Sequence, residues 1–212
     1  MKKKWSVKKK IVVTLLSVIA AFLLVVIVYV LYVFGTYHRI KDKQPIEINS
    51  LNATEGSKVK TGVEYTAGTY NVGFGAYTPD YSFFMDGGKY SRCFSKQSGI
   101  DAINGAADYA KSENPDFMIF EEVDRNSTRS YHVNQENLIN KKFQGYFQNF
   151  AVNYDSAYLF YPFNEPIGKS YSGISVCSKY EITSALRRSF PISTSFSKLL
   201  DLDRCYSVSR VP

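Results

Sequence analysis

The chain has 212 residues, 45% of them apolar and 21% charged, a composition that excludes a disordered or low-complexity protein. Its net charge of +7 is concentrated in Lys2, Lys3, Lys4, Lys8, Lys9 and Lys10. Without these six the remainder carries 20 basic and 19 acidic residues, so it has no basic stripe and no strong nucleic-acid-binding signal.

Residues 1–10 form a basic tail, and no acidic residue precedes Asp42. Ile11 to Phe34 follows without a charge, proline or glycine. As a helix this stretch extends roughly 36 Å, enough to cross a bilayer with some tilt. Tyr29, Tyr32 and Tyr37 gather toward one end, where interfacial aromatic residues belong. Lysines before the segment outnumber the nearby basic residues after it (Arg39, Lys41, Lys43), which puts the N-terminus in the cytoplasm. A secretory signal would have a shorter apolar region and a small-residue cleavage site, so an uncleaved single-pass anchor is expected in the cell membrane. Its partner is the lipid bilayer, and the C-terminal domain is extracellular.

Residues 35–65 are polar and read as a spacer. From Thr66 to Phe74 a strand is expected, ending in a glycine-rich turn. Residues 75–97 form a long aromatic loop, and such loops are often functional. Tyr77, Tyr81, Phe83, Phe84 and Tyr90 concentrate there, and a loop is expected to have no core of its own to fill. Ser98–Ser112 reads as a helix capped by Ser98, with Ile100, Ile103, Ala107 and Ala110 at helical spacing. Asn114-Pro115-Asp116 breaks it. Phe117–Val123 is an apolar strand that ends in acids. Asn134–Phe143 suits a second helix. Tyr146–Asn153, Gly173–Ser178, Ser184–Phe190 and Cys205–Val211 are further strands. The expected class is α+β, preceded by one transmembrane helix.

Cys93, Cys177 and Cys205 form no CxxC pair, and two histidines are too few for a His/Cys zinc site. Buried free thiols are expected in preference to one bridge.

Asn71 and Glu122 stand out by placement, each at the C-terminal end of an expected strand. If those strands pair in parallel through the intervening helix, both reach the sheet edge where open α/β sheets hold ligands. Glu121 and Glu122, leaving a buried strand together, suit a hard cation such as Mg2+. The competing reading is a solvated strand end.

Three blocks occur in order: Tyr70-Asn71-Val72-Gly73-Phe74-Gly75, then the segment 115–124 (Pro-Asp-Phe-Met-Ile-Phe-Glu-Glu-Val-Asp), then 171–182 (Tyr-Ser-Gly-Ile-Ser-Val-Cys-Ser-Lys-Tyr-Glu-Ile). Together they resemble the endonuclease/exonuclease/phosphatase family, the superfamily of deoxyribonuclease I, apurinic endonucleases, neutral sphingomyelinases and inositol polyphosphate phosphatases. The blocks are similar to its Asn motif, its Leu-Gln-Glu-Val metal motif and its Gly-Ile-Ala-Ile-Leu-Ser-Arg-Tyr-Pro-Ile strand. The resemblance covers residues 66–212 and implies the N-terminal part of a four-layer α/β/β/α sandwich. It also implies a hydrolase acting on phosphate esters with Mg2+ or Mn2+. By resemblance Glu122 is the metal ligand, Asn71 arranges the metal and phosphate site, and Tyr171 stands near the scissile phosphate.

Two departures are small: Glu121 stands where the family has Gln, and Glu181 where it has Pro. A larger one is that the family's Asn-x-His, Asp-x-Asn and Ser-Asp-His blocks do not occur. Neither His38 nor His132 matches a catalytic position, and His132 is expected to be structural or on the surface. The expectation is therefore a partial, truncated domain with little turnover of its own. The alternatives are a non-catalytic extracellular binding module, whose contacts the aromatic loop would supply, and a remnant without function.

Overall fold

The computed structural model describes residues 5–50, 52–53, 58–191 and 202–212. Lys2, Lys3 and Lys4 of the basic tail lie outside the described residues. The chain divides into two compact units, residues 1–38 and 39–212.

The first unit is helix α1, Val7–Thr36. Ser6 caps it, its Oγ accepting from the Lys9 amide at 3.3 Å. None of its residues is buried, and it is long and apolar enough to cross a membrane. A helix that is apolar all round suits lipid, because no face needs a protein partner. Two of its hydroxyls are satisfied internally: Ser17 donates to the Val13 carbonyl at 2.8 Å and Thr36 to that of Tyr32 at 2.7 Å.

The second unit is mixed α and β, with two sheets among the described residues. The larger has the order β2(Ile48–Asn49), β5(Phe147–Leu159), β6(Gly168–Ser178), β4(Phe117–Asp124) and β3(Ala67–Asn71). Only β3 and β4 run parallel. Such a pair needs a crossover, and helix α2(Lys96–Ser112) lies within the connection. The smaller sheet is antiparallel, in the order β1(Gln44–Pro45), β7(Ser184–Ser189), β8(Cys205–Arg210). The polar segment 35–65 is thus more than a spacer. Residues 44–45 pair with β7 and residues 48–49 with β5, so one short run joins both sheets. Ile46 and Ile48 pack there on Phe147, Ile182 and Ala185, which explains two isoleucines in a polar stretch.

Helix α2 begins two residues earlier than the spacing implies. Its cap is Ser95, whose Oγ accepts from the Ser98 amide at 3.0 Å, while the Ser95 amide donates to Ser98 Oγ at 2.9 Å. Ser98 is the third residue of this reciprocal box and not the cap itself. Asn114 takes a left-handed φ of 50° just beyond the helix and ends it. Helix α3(Gln135–Lys142) is capped by Asn134. Ile103, Ala107 and Ala110 of α2 and Ile139 of α3 bury against Met118, Phe120 and Val123 of β4, with Phe143 and Phe150. Full burial of each Ile or Phe contributes about 2–3 kcal/mol. β5 and β6 extend well past the expected strands because each pairs with the other as far as Leu159 and Gly168.

The aromatic loop does have a core. Phe74, Ala76, Tyr81 and Cys93 are buried together, with Phe83, Tyr90 and Tyr131 packed on them. The expectation that these rings had nothing to fill is corrected here. Phe74, just past the end of β3, is fully buried and gives the loop an anchor to fold around.

Candidate functional site

The site forms where β3 and β4 end. In the parallel register Asn71 stands opposite Glu121. On the other side of β4, Phe120 pairs with Ser175 and Val123 with Gly173, so β4 holds one extra residue. Strict alternation would send Glu122 to the side of Phe120, into the apolar layer under the helices. An unpaired carboxylate there is costly. The bulge avoids this. Glu122 adopts φ 56°, and Val123 takes the buried place with no exposed surface.

The re-aimed carboxylate meets Asn71, whose Nδ2 donates to Glu122 Oε1 at 3.0 Å. Asn71 Oδ1 accepts from the Gly73 amide at 2.9 Å, which fixes the amide plane. The parallel pairing therefore brings together the two residues that the motifs single out. The two glutamates do not act as a pair, however. Glu121 Oε1 accepts from Thr69 Oγ1 at 3.0 Å, while Glu122 alone lines the cleft. The bulge at Glu122 takes it out of the extended conformation that Glu121 keeps, which is why the neighbours diverge.

The cleft holds about 400 Å³ and is lined by Asn71, Glu122, Tyr70 and Tyr77, with Ala102 and Ala106 of α2. Burial, then the charges of Glu122 and Asp86, push the Tyr77 phenol up to about 12. Tyr77 is thus a neutral hydroxyl donor at neutral pH.

The turn after Asn71 is left-handed at three successive residues, Gly73 (φ 49°), Phe74 (φ 44°) and Gly75 (φ 75°). A Cβ on Gly73 would lie 2.4 Å from the Tyr77 ring, and one on Gly75 would lie 2.8 Å from the Gly99 carbonyl. Neither position has room for a side chain. Phe74 itself is held from several directions. Its carbonyl accepts from Gln135 Nε2 at 2.7 Å and from Cys93 Sγ at 3.3 Å. The same Gln135 accepts from the Asp124 amide at 2.9 Å, so one buried side chain joins the turn to the bulged strand.

Asp124 is fully buried and bonds Arg129 through Nη2 at 2.9 Å and Nε at 3.2 Å. Burial opposes the charge on Arg129, but Asp124 outweighs it and holds the guanidinium firmly protonated. Gln135, Asp124 and Arg129 escaped the sequence reading. The signal was present in Asp124, a further acid at the strand end, but its partner lies five residues on in an irregular turn.

Tyr171 lies beside the end of β4, its carbonyl accepting from the Arg125 amide at 2.9 Å. It lies in β6 opposite Asp155, its amide donates to Ser127 Oγ at 2.9 Å, and it is not among the cleft's lining residues. His132 is also apart, with Nδ1 2.7 Å from Asn126 Oδ1. Among the described residues, no three His, Cys, Asp or Glu side chains form a group that could enclose a metal ion. Mg2+ commonly takes only one or two protein carboxylates and completes its shell with water and phosphate. Glu122, with the Asn71 amide beside it, fits that open arrangement and does not fit a closed, all-protein site. Family models, curated proteins and solved structures provide no match to the chain.

Proposed function

We propose that the chain is a membrane-anchored module of the endonuclease/exonuclease/phosphatase kind that binds a divalent cation and a phosphate ester. In this reading α1 is a single-pass anchor with its N-terminus in the cytoplasm, and residues 39–212 are extracellular. The two sheets and their helices are the N-terminal part of a four-layer sandwich. The observation that carries the reading is the 3.0 Å contact between Asn71 and Glu122 at the ends of parallel strands.

Glu122 would hold Mg2+ or Mn2+, with Asn71 orienting its carboxylate. When bound, the cation supplies charge stabilisation at phosphoryl oxygens. Tyr77, kept neutral, donates a hydrogen bond to a ligand oxygen at the rim. Tyr171 keeps its family role near the phosphate only if a ligand extends past the end of β4. No histidine among the described residues lines the cleft to activate water. Binding without appreciable turnover is therefore the function this geometry supports best.

Mn2+ titration followed by electron paramagnetic resonance, with the full chain in detergent, tests this. Binding should weaken at least tenfold in Glu122→Gln, and bis(p-nitrophenyl) phosphate should hydrolyse at the buffer rate. Equal Mn2+ binding by both chains would remove the site. Brisk hydrolysis lost in Glu122→Gln would replace the binding module with an enzyme.

A further inference from the structure

Two loops of the second unit expose aromatic and apolar side chains side by side. The Phe84 ring lies 5.8 Å from that of Tyr161, and Tyr161 lies 6.0 Å from Phe163. Tyr161 is 62% exposed, Phe163 85%, and Met85, next to Phe84, 69%. Scattered exposed apolar residues are ordinary, but three such side chains on two touching loops form a patch.

The loops are tied at their base by partly buried polar bonds. The Ser91 amide donates to Glu165 Oε2 at 2.9 Å, and the Ser91 hydroxyl donates to the Glu165 carbonyl. Arg92 donates to the Pro166 carbonyl through Nε at 2.8 Å and Nη2 at 2.6 Å. Behind them Phe83, Tyr81 and Phe74 stack edge to face. The rings are thus fixed outward at little further entropic cost on binding. Asp86 and Lys89 flank the patch with opposite charges, so apolar burial must drive any docking.

We propose that this patch, Met85 with Tyr161 and Phe163, docks into the interfacial region of the lipid bilayer. The occupant follows from the tether. Helix α1 is long and apolar enough to span a membrane, and the seven residues between Thr36 and Gln44 reach at most about 25 Å. A bilayer surface is therefore always within range of the second unit. Aromatic rings and thioethers with a polar surround are what the headgroup–acyl boundary accepts. A chain of rings, Phe84 to Phe83 at 5.0 Å and Phe83 to Tyr77 at 6.1 Å, runs from the patch to the rim of the Glu122 cleft. Docking would turn that rim toward the headgroups. The inference rests on α1 as an anchor and not on a metal at Glu122.

The test uses the full chain with its only tryptophan removed (Trp5→Phe) and one introduced by Phe163→Trp. It is inserted in phosphatidylcholine vesicles with or without brominated phosphatidylcholine. The indole of the F163W chain should emit at shorter wavelength and lose about half its intensity to the brominated lipid. A Tyr109→Trp control, on the exposed face of α2, should lose none. Quenching should persist in high salt, because net charge does not drive it. An F163W indole that is shielded from acrylamide yet unquenched by brominated lipid would show a protein partner and overturn the proposal. So would an indole open to acrylamide, and so would a chain that fails to float with vesicles. Met85→Trp repeats the measurement at a second position and must agree.

Discussion

The guanidinium of Arg129 lies 4.1 Å over the ring of Phe74 while two of its nitrogens hold the buried carboxylate of Asp124. One side chain thereby joins the strand that carries Glu122 to the left-handed turn that follows Asn71. The candidate site depends on this junction, because neither Glu122 nor Phe74 would choose its backbone conformation unaided.

Arg129→Met should destabilise the second unit by about 3–5 kcal/mol, since it strands the Asp124 carboxylate in an apolar setting. The double variant Arg129→Met with Asp124→Asn should recover much of that loss. Thermal melts in detergent check both. A single variant that melts like the parent would mean the pair contributes nothing.

Glu122→Ala and Glu122→Gly both delete the carboxylate but differ at φ 56°. Glycine accepts that conformation freely, so the glycine variant should be more stable than the alanine variant by about 1 kcal/mol. Denaturant midpoints measure the gap. Equal midpoints would show that the bulge relaxes when the side chain is lost.

Asn71→Asp would place two carboxylates in hydrogen-bond contact. One of them should then titrate high, so the variant should lose stability as pH rises into the neutral range. Mg2+ or Mn2+ should restore it. Melting temperature against pH, with and without cation, reads this. A melt indifferent to cation would count against the metal site.

Asp116 accepts from the Thr66 amide at 2.8 Å and the Thr66 hydroxyl at 3.1 Å, with Lys179 alongside. These hold its carboxyl below the ordinary value, the Thr66 backbone bond most of all. A depressed folded pKa stabilises above the unfolded value of about 3.9, and that stability is lost as pH falls through the folded pKa. Asp116→Asn should therefore flatten the acid side of the stability profile. An unchanged acid limb would exclude this carboxyl as a contributor.

All three cysteines are free and buried. Burial pushes the Cys93 and Cys177 thiols up to about 12 and raises Cys205 as well. The thiolate is the reactive form, so Ellman's reagent should label the folded chain at pH 8 far more slowly than the denatured one. Rapid labelling without denaturant would show that the cores around them open readily.

The order of elements was legible because it rests on local physics: an uncharged run in 11–34, helical spacing from Ile103 to Ala110, an apolar run ending at Glu122. The joining of Asn71 to Glu122 was legible too, because two short strands flanking one helix pair in parallel. Tyr171 carried no such constraint: the antiparallel register of β6 sets it opposite Asp155, and it is not among the residues that line the cleft. The short strands at 44–49 were illegible, since two-residue pairings leave no periodicity to read.

By itself the sequence determined the apolar helix, the mixed α and β class, and the two strand ends that bring Asn71 beside the Glu121-Glu122 pair. These follow from hydropathy and from spacing within a few turns of chain. Only the tertiary structure decided which of two adjacent glutamates lines the cleft, which buried cation braces it, and that the aromatic loop encloses a core while exposing Met85. Those outcomes depend on a one-residue bulge and on contacts between distant segments, and no local pattern encodes the register that brings such segments together.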